Sequence, residues 1–265
     1  MAWTERQRRM LAEMGIRLWS PQAGDASAAE GEARLQGPGG AAVAEVAPVS
    51  VAVRPAPVAG PAAAAVDALP QRAPVPGAGW SELREAVAAC RACGLCDSRR
   101  QTVFGVGHEH ARLMVVGEAP GEQEDLRGEP FVGPAGQLLD SMLAAIGLTR
   151  QDDTPERQVF IANTLKCRPP GNRNPQPEEL AACEPFLQQQ IALVQPRAIL
   201  AMGRFAVQAL LRSTEPVGRL RGRLHSYQGV PLVVTYHPAY LLRNLPDKAR
   251  AWEDLCTVAA LLERG

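Results

Sequence analysis

Four short apolar runs separated by helical periodicities dominate the C-terminal two thirds of the chain. The runs are ARLMVVG at 111–117, QVFIANT at 158–164, RAILAMG at 197–203 and PLVVTYH at 231–237. Each has strand length and is rich in Val, Ile and Leu, as expected of strands buried on both faces. Between and after them, apolar residues recur at helical spacing over about 135–147, 177–194, 203–212 and 247–263. Strands alternating with helices predict an α/β fold, a three-layer α/β/α arrangement around a central four-stranded parallel sheet, and exclude a β-sandwich.

The rest of the chain has a different texture. Residues 21–79 run through Ala, Pro, Gly and Val with few aromatics and no sustained period. Such a stretch lacks the large apolar side chains of a core and is expected to be a disordered linker, semi-extended where Pro is dense. Ahead of it, residues 1–20 place Met10, Leu11, Met14, Ile16, Leu18 and Trp19 among charged residues at roughly helical spacing. An isolated helix of this length is marginal in water, so this amphipathic peptide is expected to fold against a partner. The expected domain is therefore 80–265.

In open parallel sheets, ligands bind beyond the carboxyl ends of the strands. There the first run enters Gly117-Glu118-Ala119-Pro120-Gly121-Glu122, the second ends near Asn163, and the fourth reaches His237. Each has an ordinary structural reading as a cap, turn or strand end. Their convergence on one rim as a carboxylate, an amide and an imidazole points to a site.

Charge and cysteine content narrow the chemistry. Formal net charge is zero over 265 residues, so nucleic-acid binding would depend on local patches. Arg219, Arg221 and Arg223 alternate in RLRGR and, if extended, would share one side with Arg168 and Arg173 as a basic track. No apolar run approaches the roughly 18 residues of a membrane span, and no secretory signal pattern opens the chain. A cytoplasmic protein is expected, in which six cysteines are not three disulfides. Cys90, Cys93, Cys167 and Cys183 instead suggest a frame for a soft metal or an iron-sulfur cluster. Cys96 is a fifth candidate, and Cys256 sits in an apolar helical pattern as a small hydrophobe.

From about Cys90 to Leu262 the chain resembles the iron-sulfur family 4 enzymes of the uracil-DNA glycosylase superfamily. The resemblance rests on the cysteine frame and on VVGEAPGEQED, PFVGPAGQLLD, IANTLKCRPPGNRNPQPEELAAC and HPAYLLRN in this order. It implies a uracil-DNA glycosylase-like fold and a 4Fe-4S cluster held by Cys90, Cys93, Cys167 and Cys183, with Cys96 outside the ligand set. It implies hydrolysis of the N-glycosidic bond of deoxyuridine in single- or double-stranded DNA, leaving an abasic site, after the base is flipped out of the stack.

The resemblance also assigns roles. Phe131 would stack on the extruded ring, Asn163 would read O4 and N3–H of uracil, and His237 would donate to O2 as negative charge grows there. Glu118 would stabilise the cationic sugar or orient water. Ala119 stands where the best-known uracil glycosylases carry an Asp, and Gly121 where they carry a Tyr that excludes thymine, so Glu124 is a candidate for that discrimination. Gly117 and Gly121, with Gly133 and Gly136, would permit close backbone approach. Leu241 or Leu242 would wedge into the vacated base position, with Arg243 on a phosphate. CRPPGNRNPQPEE lacks the histidine with which some relatives trap DNA covalently, which favours turnover. Residues 1–20 weakly resemble the peptide by which the polymerase psi subunit docks on its clamp loader, implying a replisome contact. A monomer is expected, cytoplasmic and nucleoid-associated when on DNA. The alternatives are a non-catalytic iron-sulfur DNA-binding protein, or a glycosylase for another deaminated base such as hypoxanthine.

Overall fold

The structure, a computed structural model, describes Glu13, residues 79–151 and residues 154–264. The peptide expected at 1–20 and the linker expected at 21–79 lie, Glu13 and Gly79 apart, outside the described residues.

Four strands form the centre of the sheet: β2 (Leu113–Gly117), β3 (Val159–Asn163), β4 (Ala198–Met202) and β6 (Val230–Thr235). They are parallel and ordered β3-β2-β4-β6, with Val115 level with Ile161 and Leu200, and Leu200 level with Val233. The expected parallel core is present, but the sheet is wider than expected. Two antiparallel edge strands, β1 (Val106–Gly107) beside β3 and β5 (Leu224–Tyr227) beside β6, make six in all. β1 has only two residues, and β5 reads LHSY with alternating exposed positions, so neither carries an apolar run. β5 joins β6 through Gln228 and Gly229, both at positive φ (49° and 86°), the backbone that a tight two-residue hairpin requires.

Alternation along the central strands sends side chains to two cores. Met114, Val116, Phe160, Ala162, Ile199, Ala201, Leu232 and Val234 face one side. There they meet Leu83 and Val87 of α1 (Trp80–Ala88), Phe186, Leu187 and Ile191 of α5 (Pro177–Val194), and Val207 of α6 (Arg204–Leu211). Leu113, Val115, Ile161 and Leu200 face the other side, where Leu139, Met142 and Leu143 of α4 (Pro134–Ala145) and Trp252, Leu255 and Val258 of α9 (Asp247–Glu263) cover them. All five residues of each of β2, β3 and β4 are buried, and each large apolar side chain so enclosed contributes about 1.5–3 kcal/mol. The remaining short helices are α2 (Leu95–Ser98), α3 (Glu122–Arg127), α7 (Val217–Leu220) and α8 (Pro238–Leu241). α3 carries Glu122, Glu124 and Asp125 in its first turn.

Candidate active site

Beyond the carboxyl ends of the parallel strands lies a cavity of about 870 Å³, whose lining includes Glu118, Gly121, Glu124, Phe131, Asn163, Gly203, Arg204, His237 and Arg243. Strand order explains the convergence. Glu118 follows β2, Asn163 ends the neighbouring β3, and His237 follows β6 by two residues and caps α8.

The close approach of these groups depends on glycine at two points. A Cβ on Gly117 would fall 2.4 Å from Asn163 Oδ1 and 2.6 Å from Phe131 Cζ. Gly203, at φ +84°, brings the end of β4 within 3.2 Å of the His237 Cβ, measured from the position its own Cβ would take. Thr164 and Leu165 then bind the next segment in place: Leu165 N–H donates to the Glu118 carbonyl at 3.1 Å, and the Thr164 hydroxyl donates to the same carbonyl.

Asn163 is buried, and its Oδ1 has no hydrogen-bond partner within the protein. A buried acceptor left open costs about 1–3 kcal/mol, so its persistence on a residue that lines the cavity marks a place for a donor from outside. Phe131 is also buried, its ring stacked on that of His237 with centroids 5.5 Å apart and planes at 30°. Its backbone is left-handed, at φ +58°, a conformation costing about 1–2 kcal/mol for a residue with a Cβ.

The His237 imidazole is held in one tautomer. Ala239 N–H donates to Nδ1 at 3.2 Å, leaving Nε2 to carry the proton. Burial, aided by the Arg243 charge, lowers its pKa to about 4, so the ring at neutral pH is an uncharged donor. Glu118 moves the other way: burial raises its pKa, opposed by the Arg204 guanidinium.

Glu124, the candidate for discrimination against thymine, lines the cavity and is held by the backbone around it. Its carboxylate accepts N–H bonds from Gly121 (3.0 Å), Val132 (3.0 Å) and, more weakly, Gly133 (3.4 Å). It therefore ties the loop after β2 to the loop that carries Phe131, shaping the cavity through the backbone.

Two sequence expectations are overturned. Leu241 is fully buried in the core beneath α4 and α9, so it is not available as a wedge; Leu242, 43% exposed, is. Arg221 does not join a basic track. It is paired with Asp254 and Glu253 and lies over the Tyr236 ring, because the RLRGR segment is not extended but begins within α7. Arg173 is engaged by Glu179, while Arg168 donates to Asn172 and lies 3.8 Å from Glu122. Arg204 and Asn172, both at the cavity, were not singled out from the sequence. A basic residue just after the third parallel strand was the available signal for Arg204.

The cysteines gather on the other side of β3. Cys90 and Cys93 lie between α1 and α2, Cys167 follows β3, and Cys183 is on α5; with Cys96 all line one pocket. None is in a disulfide. Arg99 Nη1 donates to Cys167 Sγ at 3.1 Å, Lys166 N–H to Cys183 Sγ at 3.3 Å and Ala92 N–H to Cys90 Sγ at 3.5 Å. Burial raises the Cys93 and Cys167 thiols, and pushes Cys183 up to about 12. Lys166, fully enclosed, donates through Nζ to the Asn163 carbonyl and Gln190 Oε1.

Residues 104–256, more than half of the chain, match the family described as the Uracil DNA glycosylase superfamily. The chain belongs to that superfamily. Among its relatives, the type-4 uracil-DNA glycosylase of Archaeoglobus fulgidus is 43% identical over 59% of this chain and 79% of its own length. The type-4 uracil-DNA glycosylase of Pyrobaculum aerophilum is 42% identical over 66% of this chain and 90% of its own, and that of Thermotoga maritima 42% over 63% and 84%. Membership accounts for the parallel sheet with its cavity at the strand ends, and the high coverage of the type-4 relatives places nearly the whole of such a domain in this chain.

Proposed function

We propose that this chain is a DNA repair glycosylase that flips uracil out of DNA and hydrolyses its N-glycosidic bond, leaving an abasic site. The observation that carries the residue-level reading is the buried, unpartnered Asn163 Oδ1 beside the Phe131–His237 stack. Uracil offers N3–H to that oxygen, whereas cytosine has a bare acceptor at N3. Phe131 supplies the ring against which the base lies. As the bond breaks, negative charge grows on the base, and the uncharged Nε2–H of His237 donates a hydrogen bond to O2 while keeping its proton. Glu118, ionised, balances the cationic sugar and orients the attacking water from the opposite side. Leu242 fills the vacated place in the duplex and Arg243 holds a phosphate.

Cys90, Cys93, Cys167 and Cys183 suit a 4Fe-4S cluster. They share one pocket lining, and Cys90, Cys167 and Cys183 receive N–H···S bonds of the kind that stabilise cluster thiolates. Among the described residues, no three His, Cys, Asp or Glu side chains form a group for a single ion. A cluster held by these four cysteines would tie the α1–α2 connection, through Cys90 and Cys93, to Cys167 after β3 and Cys183 on α5. Among the described residues no helix is long and apolar enough to cross a membrane. Residues 1–20, on the tether 21–79, are proposed to dock the domain on the replication machinery; a pull-down unchanged by deleting residues 1–20 would remove that part.

The test is incubation of the full, cluster-loaded chain with single- and double-stranded oligonucleotides carrying one U, hypoxanthine or T, followed by alkali. Scission at U is expected. Scission only at hypoxanthine would move the substrate to another deaminated base, and none at any base would leave a non-catalytic DNA-binding protein.

A further inference from the structure

We propose that Arg150, which lies outside the cavity, positions the base-stacking ring by clamping the backbone on both sides of Phe131. The inference rests on the reading of Phe131 as the stacking surface. The Arg150 side chain is largely enclosed, 11% exposed, and its bonds go to one carboxylate and three backbone carbonyls. Nε pairs with Asp140 at 2.6 Å, Nη1 donates to the Pro130 carbonyl at 2.7 Å, and Nη2 donates to the Phe131 carbonyl at 2.8 Å and, more weakly, to that of Gly136 at 3.3 Å.

These carbonyls border one strained point. Phe131 is left-handed at φ +58°, and a bulky residue keeps that conformation only where its surroundings over-determine it. Gly136 allows the closure, since a Cβ there would fall 1.7 Å from the Phe131 carbonyl oxygen. The planar fork of arginine can hold several carbonyls at fixed angles, which the single ammonium of lysine cannot. Asp140, on α4, pairs with Nε and leaves the two Nη groups to the carbonyls. The ring beside His237 therefore owes its orientation to a residue nineteen positions away, as the Phe131–Arg150 bond shows.

The experiment compares the full chain with Arg150→Gln, Arg150→Lys, Asp140→Asn, Phe131→Ala and the Arg150→Gln/Phe131→Ala double variant. The readouts are the inhibition constant of free uracil, KM and kcat on a single-stranded U oligonucleotide, and melting temperature. Arg150→Gln is expected to weaken free uracil and raise KM about tenfold, the loss of one or two charge-assisted bonds, at temperatures well below melting. Arg150→Lys should move in the same direction, and stands in should the Gln variant not fold. Asp140→Asn, which keeps the three carbonyl bonds, should be near wild type in uracil affinity, and the double variant no worse than Phe131→Ala alone.

A lower melting temperature with unchanged uracil affinity would overturn the proposal. So would Asp140→Asn matching Arg150→Gln, or additive losses in the double variant. Unchanged uracil affinity in Phe131→Ala would instead defeat the stacking reading itself, which separates the two failures.

Discussion

Burial favours the uncharged form of both His237 and Glu118, which on the proposed reading suits the imidazole donor and works against the carboxylate. With its pKa lowered to about 4, His237 remains a neutral donor throughout the neutral range. His237→Ala is expected to lower kcat on U-containing DNA about 100- to 1000-fold, the usual effect of deleting such a donor, with DNA affinity nearly unchanged in a gel-shift measurement. The raised pKa of Glu118 fixes the sign of the acid limb. The carboxylate must be ionised to oppose the sugar cation, so kcat/KM falls as pH falls through a value above the ordinary 4.5 for Glu. Glu118→Gln should be slower and lack that limb; a limb that persists would remove the assignment. Stability moves in the same direction for His237. The unfolded chain takes up its proton near 6.5 and the folded one only near 4, so stability declines as pH falls across that window. A His237→Gln variant followed by chemical denaturation at pH 7 and pH 4.5 should lose that part of the decline.

At the scale of elements, α8 separates two leucines that are equivalent in sequence. Leu241 faces the core and Leu242 faces solvent. Leu241→Ala is expected to cost about 2–5 kcal/mol of stability, as for other enclosed leucines, measured by urea unfolding. Leu242→Ala should leave stability alone and raise KM more for double-stranded than for single-stranded U substrates, since a wedge has a vacated place to fill only in a duplex. The reverse pattern would exchange their assignments. This pair also marks where the sequence stops being legible. The four parallel strands and the helices at 134–145, 177–194, 204–211 and 247–263 follow from runs of apolar residues with clear periods. The four-residue helix after His237 has too few residues to show a period, so it gives no face. β1 and β5 are short or polar for the same reason. RLRGR reads as alternating only if it is extended, and α7 removes that condition. Glu118, Asn163 and His237 were readable because each stands at a strand end, where topology rather than local pattern makes the site. Arg150 was not, since its bonds run to backbone carbonyls that carry no sequence signature.

Across the whole molecule, the cysteine frame and the cavity lie at the two ends of one short segment. Asn163 ends β3, Lys166 returns to the Asn163 carbonyl from within the core, and Cys167 follows at once. Lys166 N–H meanwhile contacts Cys183 Sγ, and Val103 N–H contacts the Lys166 carbonyl at 2.8 Å. A tie among Cys90, Cys93, Cys167 and Cys183 would therefore steady the peptide that bears the base-reading amide. Replacing Cys167 or Cys183 by Ser should remove the brown colour and its visible absorption band from purified protein. It should also speed proteolysis between about residues 164 and 176, because a four-point link across that connection is lost. Cys96 lines the same pocket but is outside the proposed ligand set, so Cys96→Ser should keep both the colour and the protease resistance. Loss of the band in Cys96→Ser, with the band retained in one of the other four, would redraw the ligand set around Cys96.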